Sequence, residues 1–246
     1  MHKTRLRLAA AALPALLLAA ACSSSGDSPS PDASKGPDGT SNILSGKAPL
    51  TTEQLSKALV TDSDVPGWTI QPSQTADSSD TSTLTADKPA CQPLADITSS
   101  NPKIHRMAFI GAAFAKTTAT TGATPEVINQ MLVASHAPGD AKKVIDSVKT
   151  ALAGCTGFTA VDSTGTKTPF TVSKGPAVPT GDESVSYLMN DAADKKTGAA
   201  LVAVVQTGDT VTAYLSVKSS GGAGPLPIDV VRKQSEKLKA ALAARK

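Results

Sequence analysis

The sequence predicts an α+β fold, an antiparallel β-sheet with helices packed on one side and one disulfide. Three observations carry that prediction. Two long stretches, one ending at Gly154 and one near the C-terminus, hold apolar residues at helical spacing. Six or seven shorter runs rich in Val, Thr, Phe and Tyr are separated by short turns containing Gly or Pro. Cys91 and Cys155 both fall within the part of the chain that has enough apolar residues to fold.

The elements follow in order. Met1 to Arg7 is basic, and Leu8 to Ala21 is a run of Ala and Leu broken only by Pro14. As a helix that run spans about 21 Å, short of the roughly 30 Å hydrocarbon core of a membrane. Residues 1–21 therefore read as a lipoprotein signal peptide. Cys22, directly after Ala19-Ala20-Ala21, resembles the lipobox cysteine of bacterial lipoproteins, whose sulfur is acylated, as with palmitate, once the leader is cut before it. Ordinary signal-peptidase cleavage at the same bond would instead leave a free, exposed thiol.

Residues 22–48 are built from Ser, Gly, Pro, Asp and Lys, with Ile43 and Leu44 as the bulky apolar exceptions, and too little apolar surface to offset the entropy of ordering. They are expected to form a disordered tether, and residues 49–246 a single domain. Thr51 and Gln54 stand at capping-box spacing with Leu50 and Leu55 as the accompanying staple, opening a helix over Thr52 to Leu59. Val65-Pro66-Gly67 is a turn before a strand from Trp68 to Gln71, and the Ser- and Thr-rich stretch Asp77 to Lys88 reads as a surface loop. Cys91 to Ile97 reads as a short helix, followed by strands over Arg106 to Thr117 and Glu126 to Ser135. The second is largely apolar on both alternating faces, the pattern of a central strand.

Pro138-Gly139-Asp140 opens a helix with Val144, Ile145, Val148 and Leu152 on one stripe and Gly154 as its stop. Strand-like pieces follow at Phe158 to Val161, Pro169 to Lys174, Glu183 to Met189, Ala199 to Gln206 and Thr210 to Lys218, the last two joined by the hairpin signal Thr207-Gly208-Asp209. A final helix runs from Pro227 to Ala244 with Val231, Leu238 and Leu242 inward.

The chain carries a formal charge of +3, and Lys3, Arg5 and Arg7 of the leader account for all of it. The remainder is neutral, which offers nucleic acid no basic face. In an exported protein Cys91 and Cys155 are the remaining cysteine pair, and oxidation to a disulfide is the expected outcome. Beyond the leader the histidines are His105 and His136, without zinc-ligand spacing, so no metal or other cofactor is expected. Ser100-Asn101-Pro102-Lys103 with Lys196-Thr197-Gly198 imitates penicillin-recognising enzymes. Pro102 stands where that chemistry needs a helical turn, however, and no Ser-Asp-Asn element accompanies it. Asp62-Ser63-Asp64 and the acids Asp77, Asp80 and Asp87 lack the spacing of a calcium loop and read as solvated turns. Seven aromatic rings are better suited to anchoring a core than to forming a sugar platform.

The order of Asp64-Val65-Pro66-Gly67-Trp68-Thr69, the Cys91 segment followed by Phe114, Ala151-Leu152-Ala153-Gly154-Cys155-Thr156-Gly157-Phe158, Gly181-Asp182-Glu183 and the Val204 to Val217 hairpin before a terminal helix resembles the PknH-like extracellular sensor domain of actinobacteria. That family occurs outside receptor Ser/Thr kinases and as stand-alone lipoproteins. The resemblance spans Leu50 to Ala244 and implies an antiparallel sheet with helices beside a cleft and no catalysis. Some members carry a second disulfide, for which this chain has no cysteines. The expectation is thus a non-enzymatic sensor or ligand-binding lipoprotein on the extracytoplasmic face of the cell membrane, anchored through Cys22. Its ligand would be an unknown small molecule or protein in an apolar cleft, with Trp68, Tyr187 and Tyr214 as candidates for the lining. The alternatives are a carrier of lipid or another hydrophobic molecule and a cell-wall enzyme with an unrecognised site.

Overall fold

In the computed structural model, residues 47–73, 83–118, 123–194 and 198–245 are described. The leader, Cys22, the tether up to residue 46, Asp77, Asp80, Lys196 and Thr197 lie outside them.

Helix α1 (Thr52–Ala58) starts at the expected capping box: Thr51 Oγ1 accepts from the Gln54 N–H, and Gln54 Oε1 from the Thr51 N–H. Leu50 and Leu55 are both buried, as a staple requires. The strands are β1 (Trp68–Ser73), β2 (Leu84–Ala86), β3 (Ala108–Lys116), β4 (Val127–Ser135), β5 (Gly157–Asp162), β6 (Lys167–Lys174), β7 (Glu183–Asp191), β8 (Ala199–Thr207) and β9 (Thr210–Lys218), with α2 (Gln92–Asp96) and α3 (Asp140–Gly154) between them and α4 (Ile228–Ala243) last. They form one antiparallel sheet in the order β1-β3-β4-β9-β8-β7-β6-β5-β2. The α+β class, the antiparallel sheet and the disulfide are as the sequence predicts.

Two features differ from the sequence reading. The end of the expected 77–88 loop is a strand, since Leu84–Ala86 pair with β5 from Asp162 to Ala160. Three residues are too few to show alternation, and the pairing that holds them comes from a segment some 75 positions away. The helices, moreover, divide between the two faces of the sheet, each pair covering its own part. Along β8, Val202 and Val204 point one way and Ala203 and Val205 the other, and all four are buried. One helical layer cannot cover both rows. α1 and α4 pack Leu55, Val231 and Leu238 against Ala112, Phe114, Met131, Ala203, Val205 and Tyr214. On the opposite face, α2 and α3 pack Leu94, Ile145 and Val148 against Phe158, Val172, Tyr187, Val202 and Val204. Each such Leu, Ile or Val contributes about 1.5–3 kcal/mol by burial.

Long-range ties lock the two layers. Cys91, in the single 3₁₀ turn Pro89–Cys91 that leads into α2, is bonded to Cys155, which caps α3, with an S–S distance of 2.06 Å. Gln234 of α4 is fully buried; its Oε1 accepts from the Val60 N–H at 2.9 Å and its Nε2 donates to the Ala58 carbonyl at 3.0 Å, closing the end of α1. Asp64 takes N–H and O–H donors from Thr61 and a 2.6 Å bond from Lys237 of α4, which holds its carboxyl down at about 2. Lys47 Nζ donates to the Arg245 carbonyl, and Arg245 donates to the Ala48 carbonyl and to Asp209.

Candidate functional site

The α2/α3 pair leaves part of its face of the sheet uncovered. Antiparallel partners share a face, so Phe109, Gly111 and Ala113 of β3 lie beside Gln130 and Leu132 of β4, then Ala213 and Leu215 of β9, in alternating register. These residues floor a groove of about 530 Å³. Its wall is the irregular segment after α2, from Ile97 to Ser100, together with Arg106. Ala112, Met131 and Tyr214 reach the groove through backbone atoms, because the register turns their side chains to the α1/α4 face. Ile128, the next groove-side residue of β4, is 38% exposed. The two-sided apolar pattern of β4 thus has a second cause: one face is core and the other is groove floor.

The floor mixes the small residues Gly111, Ala113 and Ala213 with Phe109, Gln130, Leu132 and Leu215. A Cβ at Gly111 would point into the groove and lie 2.3 Å from Ser73 Oγ, the movable tip of an edge-strand side chain. Glycine weakens a strand interior, and its presence there fits the close approach of the Ser73 side chain.

Arg106 stands at one end of the groove, where it also borders a smaller pocket of about 40 Å³ lined by Asp96 and His136. Its Nη1 donates to the Ser99 carbonyl at 2.8 Å, and its Nη2 to those of Asp96 and Ile97 at 3.1 Å each, so it caps the C-terminal turn of α2. Burial draws the guanidinium down to about 10, with Asp96 opposing the shift. His136 is 3% exposed, its Nδ1 is 3.0 Å from the His105 carbonyl oxygen, and burial lowers its proton affinity.

The aromatic candidates separate. Tyr214 lines the groove only as described, its ring edge-on to Phe114. Trp68 is on the α1/α4 side, edge-on to Phe114 and donating to Asp229 at 3.0 Å. Tyr187 is fully buried beneath α2, its hydroxyl donating to the Leu94 carbonyl at 3.3 Å. Ser100 lies on the groove wall in irregular backbone and Lys103 uses its N–H on Asp96, so the pair does not occupy one helical turn. Among the described residues no three His, Cys, Asp or Glu side chains converge.

A wider hollow of about 760 Å³ lies between the end of α3 and residues 174–179, lined by Lys149, Leu152 and Pro176 among others. One wall is loop backbone fastened to β7 by Ser184 and Ser186, so it lacks the regular, glycine-floored surface of the groove. Arg106 and Gly111 are the groove residues that sequence reasoning missed. A glycine within the apolar run of β3 was the available signal for the second; nothing local marks the first.

No curated protein matches the chain. Among solved structures, it is similar to the extracellular domain of PknH from Mycobacterium tuberculosis, at 15% identity and a TM-score of 0.52, over 80% of this chain and 99% of that one. It also aligns with an uncharacterized protein from Mycobacterium smegmatis, at 15% identity and a TM-score of 0.34, over 79% of this chain and 94% of that one. The PknH-like extracellular domain family matches residues 48–237. With that match spanning most of the sequence and the nine-stranded sheet, the chain belongs to the PknH-like extracellular domain family.

Proposed function

We propose that this protein is a non-enzymatic sensor module that binds its ligand in the groove over β3, β4 and β9 and is held on the extracytoplasmic face of the membrane through lipid on Cys22. The observation that supports the reading best is the groove itself: about 530 Å³, within the roughly 300–1,000 Å³ usual for small-molecule sites, and floored by the sheet. The anchoring part rests on the leader and on Cys22 following Ala19-Ala20-Ala21.

The test is native mass spectrometry of the exported protein purified from its own host, beside the variant Gly111→Phe, whose ring would fill the groove while Ser73 swings aside. The expected result is one small molecule per chain in the parent, absent from a variant with unchanged circular dichroism. Identical spectra, with or without an adduct, would overturn the reading. The apolar floor also suits a carrier, which is told apart by function: a carrier speeds movement of a fluorescent phospholipid between vesicles, and a sensor leaves that rate unchanged.

A further inference from the structure

Among the described residues that line the groove one is charged, Arg106, and it is half-buried. Arg106 owns five N–H donors in a planar fork. Three are used on the carbonyls of Ser99, Asp96 and Ile97. The other two have no acceptor among the described residues, and no described carboxylate comes within 4.0 Å to form an ion pair with Arg106. Asp96 is the nearest anionic influence, but it borders the small pocket and not the groove, and its oxygens already accept from Gln92 Nε2 and the Lys103 N–H. A partly desolvated guanidinium forms its strongest hydrogen bonds with a carboxylate or phosphate. Arg106 borders the groove, whose floor is apolar apart from Gln130.

Resting on the groove reading above, we propose that the ligand is an anionic amphiphile, its carboxylate or phosphate head taken by the unused donors of Arg106 and its hydrocarbon tail laid along the largely apolar floor. Arg106 is suited to this because its fork is already aimed by three carbonyls, so little side-chain freedom is left to lose on binding. Ser100 and Thr98 lie on the same wall.

The experiment uses the full chain in lipid nanodiscs, with empty discs as blank, and four eight-carbon probes: octanoate, octyl phosphate, 1-octanol and octylammonium. A charge-assisted pair at a partly desolvated site predicts that the two anions bind roughly 10- to 100-fold more tightly than octanol, with octylammonium weakest. Octanoate against octyl phosphate decides which head is preferred. In Arg106→Gln the anions should fall to the level of octanol while octanol itself is unchanged. In the unaltered protein the carboxyl signal of carbon-13-labelled octanoate should titrate below that of the free acid, a readout that a purely structural arginine would not move and that needs no variant.

Octanol binding as tightly as octanoate in a Gly111→Phe-sensitive manner would overturn the anionic head and leave the groove standing. A bound carboxyl titrating like the free acid would do the same. Failure of all four probes to bind, or binding indifferent to Gly111→Phe, would overturn both.

Discussion

Reducing the Cys91–Cys155 bridge isolates one contribution to stability without changing a residue. The bridge closes a loop of sequence separation 64, and freeing it returns about 4 kcal/mol of chain entropy to the unfolded state. Domains of this kind are stable by only about 5–15 kcal/mol, so the loss is a large share. The geometry adds a local effect. α2 is five residues long, far below the dozen or so that a helix needs to persist alone, and it is held by the bridge, by Leu94 and by the Arg106 cap. The assay is urea unfolding at 25 °C followed by far-ultraviolet circular dichroism, with and without a phosphine reductant. With a slope near 2 kcal/mol/M the midpoint should fall by about 2 M, and the slope should rise because the reduced unfolded chain is less compact. On heating, the same loss corresponds to a fall of about 8–16 °C. An unchanged midpoint in a sample whose two thiols have been shown by titration to be free would refute the reasoning.

Other perturbations separate the remaining ties. Gln234→Leu keeps the volume but leaves the Val60 N–H and the Ala58 carbonyl buried without partners, a cost of about 2–4 kcal/mol that chemical denaturation would show. Tyr187→Phe removes one buried hydrogen bond to Leu94 and should cost about 1 kcal/mol by the same measurement, with the fold intact. Stability should fall in two acid steps. His136, lowered by burial, binds its proton more readily unfolded, so stability present above its ordinary value of 6.5 is lost as pH drops through its depressed folded value. Asp64 contributes stability present above 3.8 and lost as pH falls through about 2. Stability measured against pH should lose the upper step in His136→Asn and the lower one in Asp64→Asn.

What the sequence made legible is what short-range chemistry decides. The capping box at Thr51, the stop at Gly154, the hairpin at Thr207-Gly208-Asp209 and the inward face of α4 at Val231 and Leu238 all depend on neighbours within a turn or two. The groove was half visible: the apolar faces of β4 pointed to a central strand, but periodicity does not distinguish a face covered by helix from one left open. β2 escaped because its only partner is distant in sequence. So did the roles of Gln234 and Arg106. Each is an ordinary polar residue whose part is set by backbone groups of another element, at separations of 174 residues for Gln234 to Val60 and 7 to 10 for Arg106. The aromatic residues drew attention as rare and large, yet rarity favoured core positions, with Tyr187 and Tyr214 both buried.

The knot of contacts among Lys47, Ala48, Asp209 and Arg245 bears on how the domain could be handled as a part. It sets the two ends of the described sheet-and-helix body side by side, so the body could be spliced into a loop of another protein with little strain. A circular permutant that joins those ends and opens the chain at Gly221-Gly222, in the turn leading toward α4, should keep the nine-stranded sheet while moving the chain ends to a different corner.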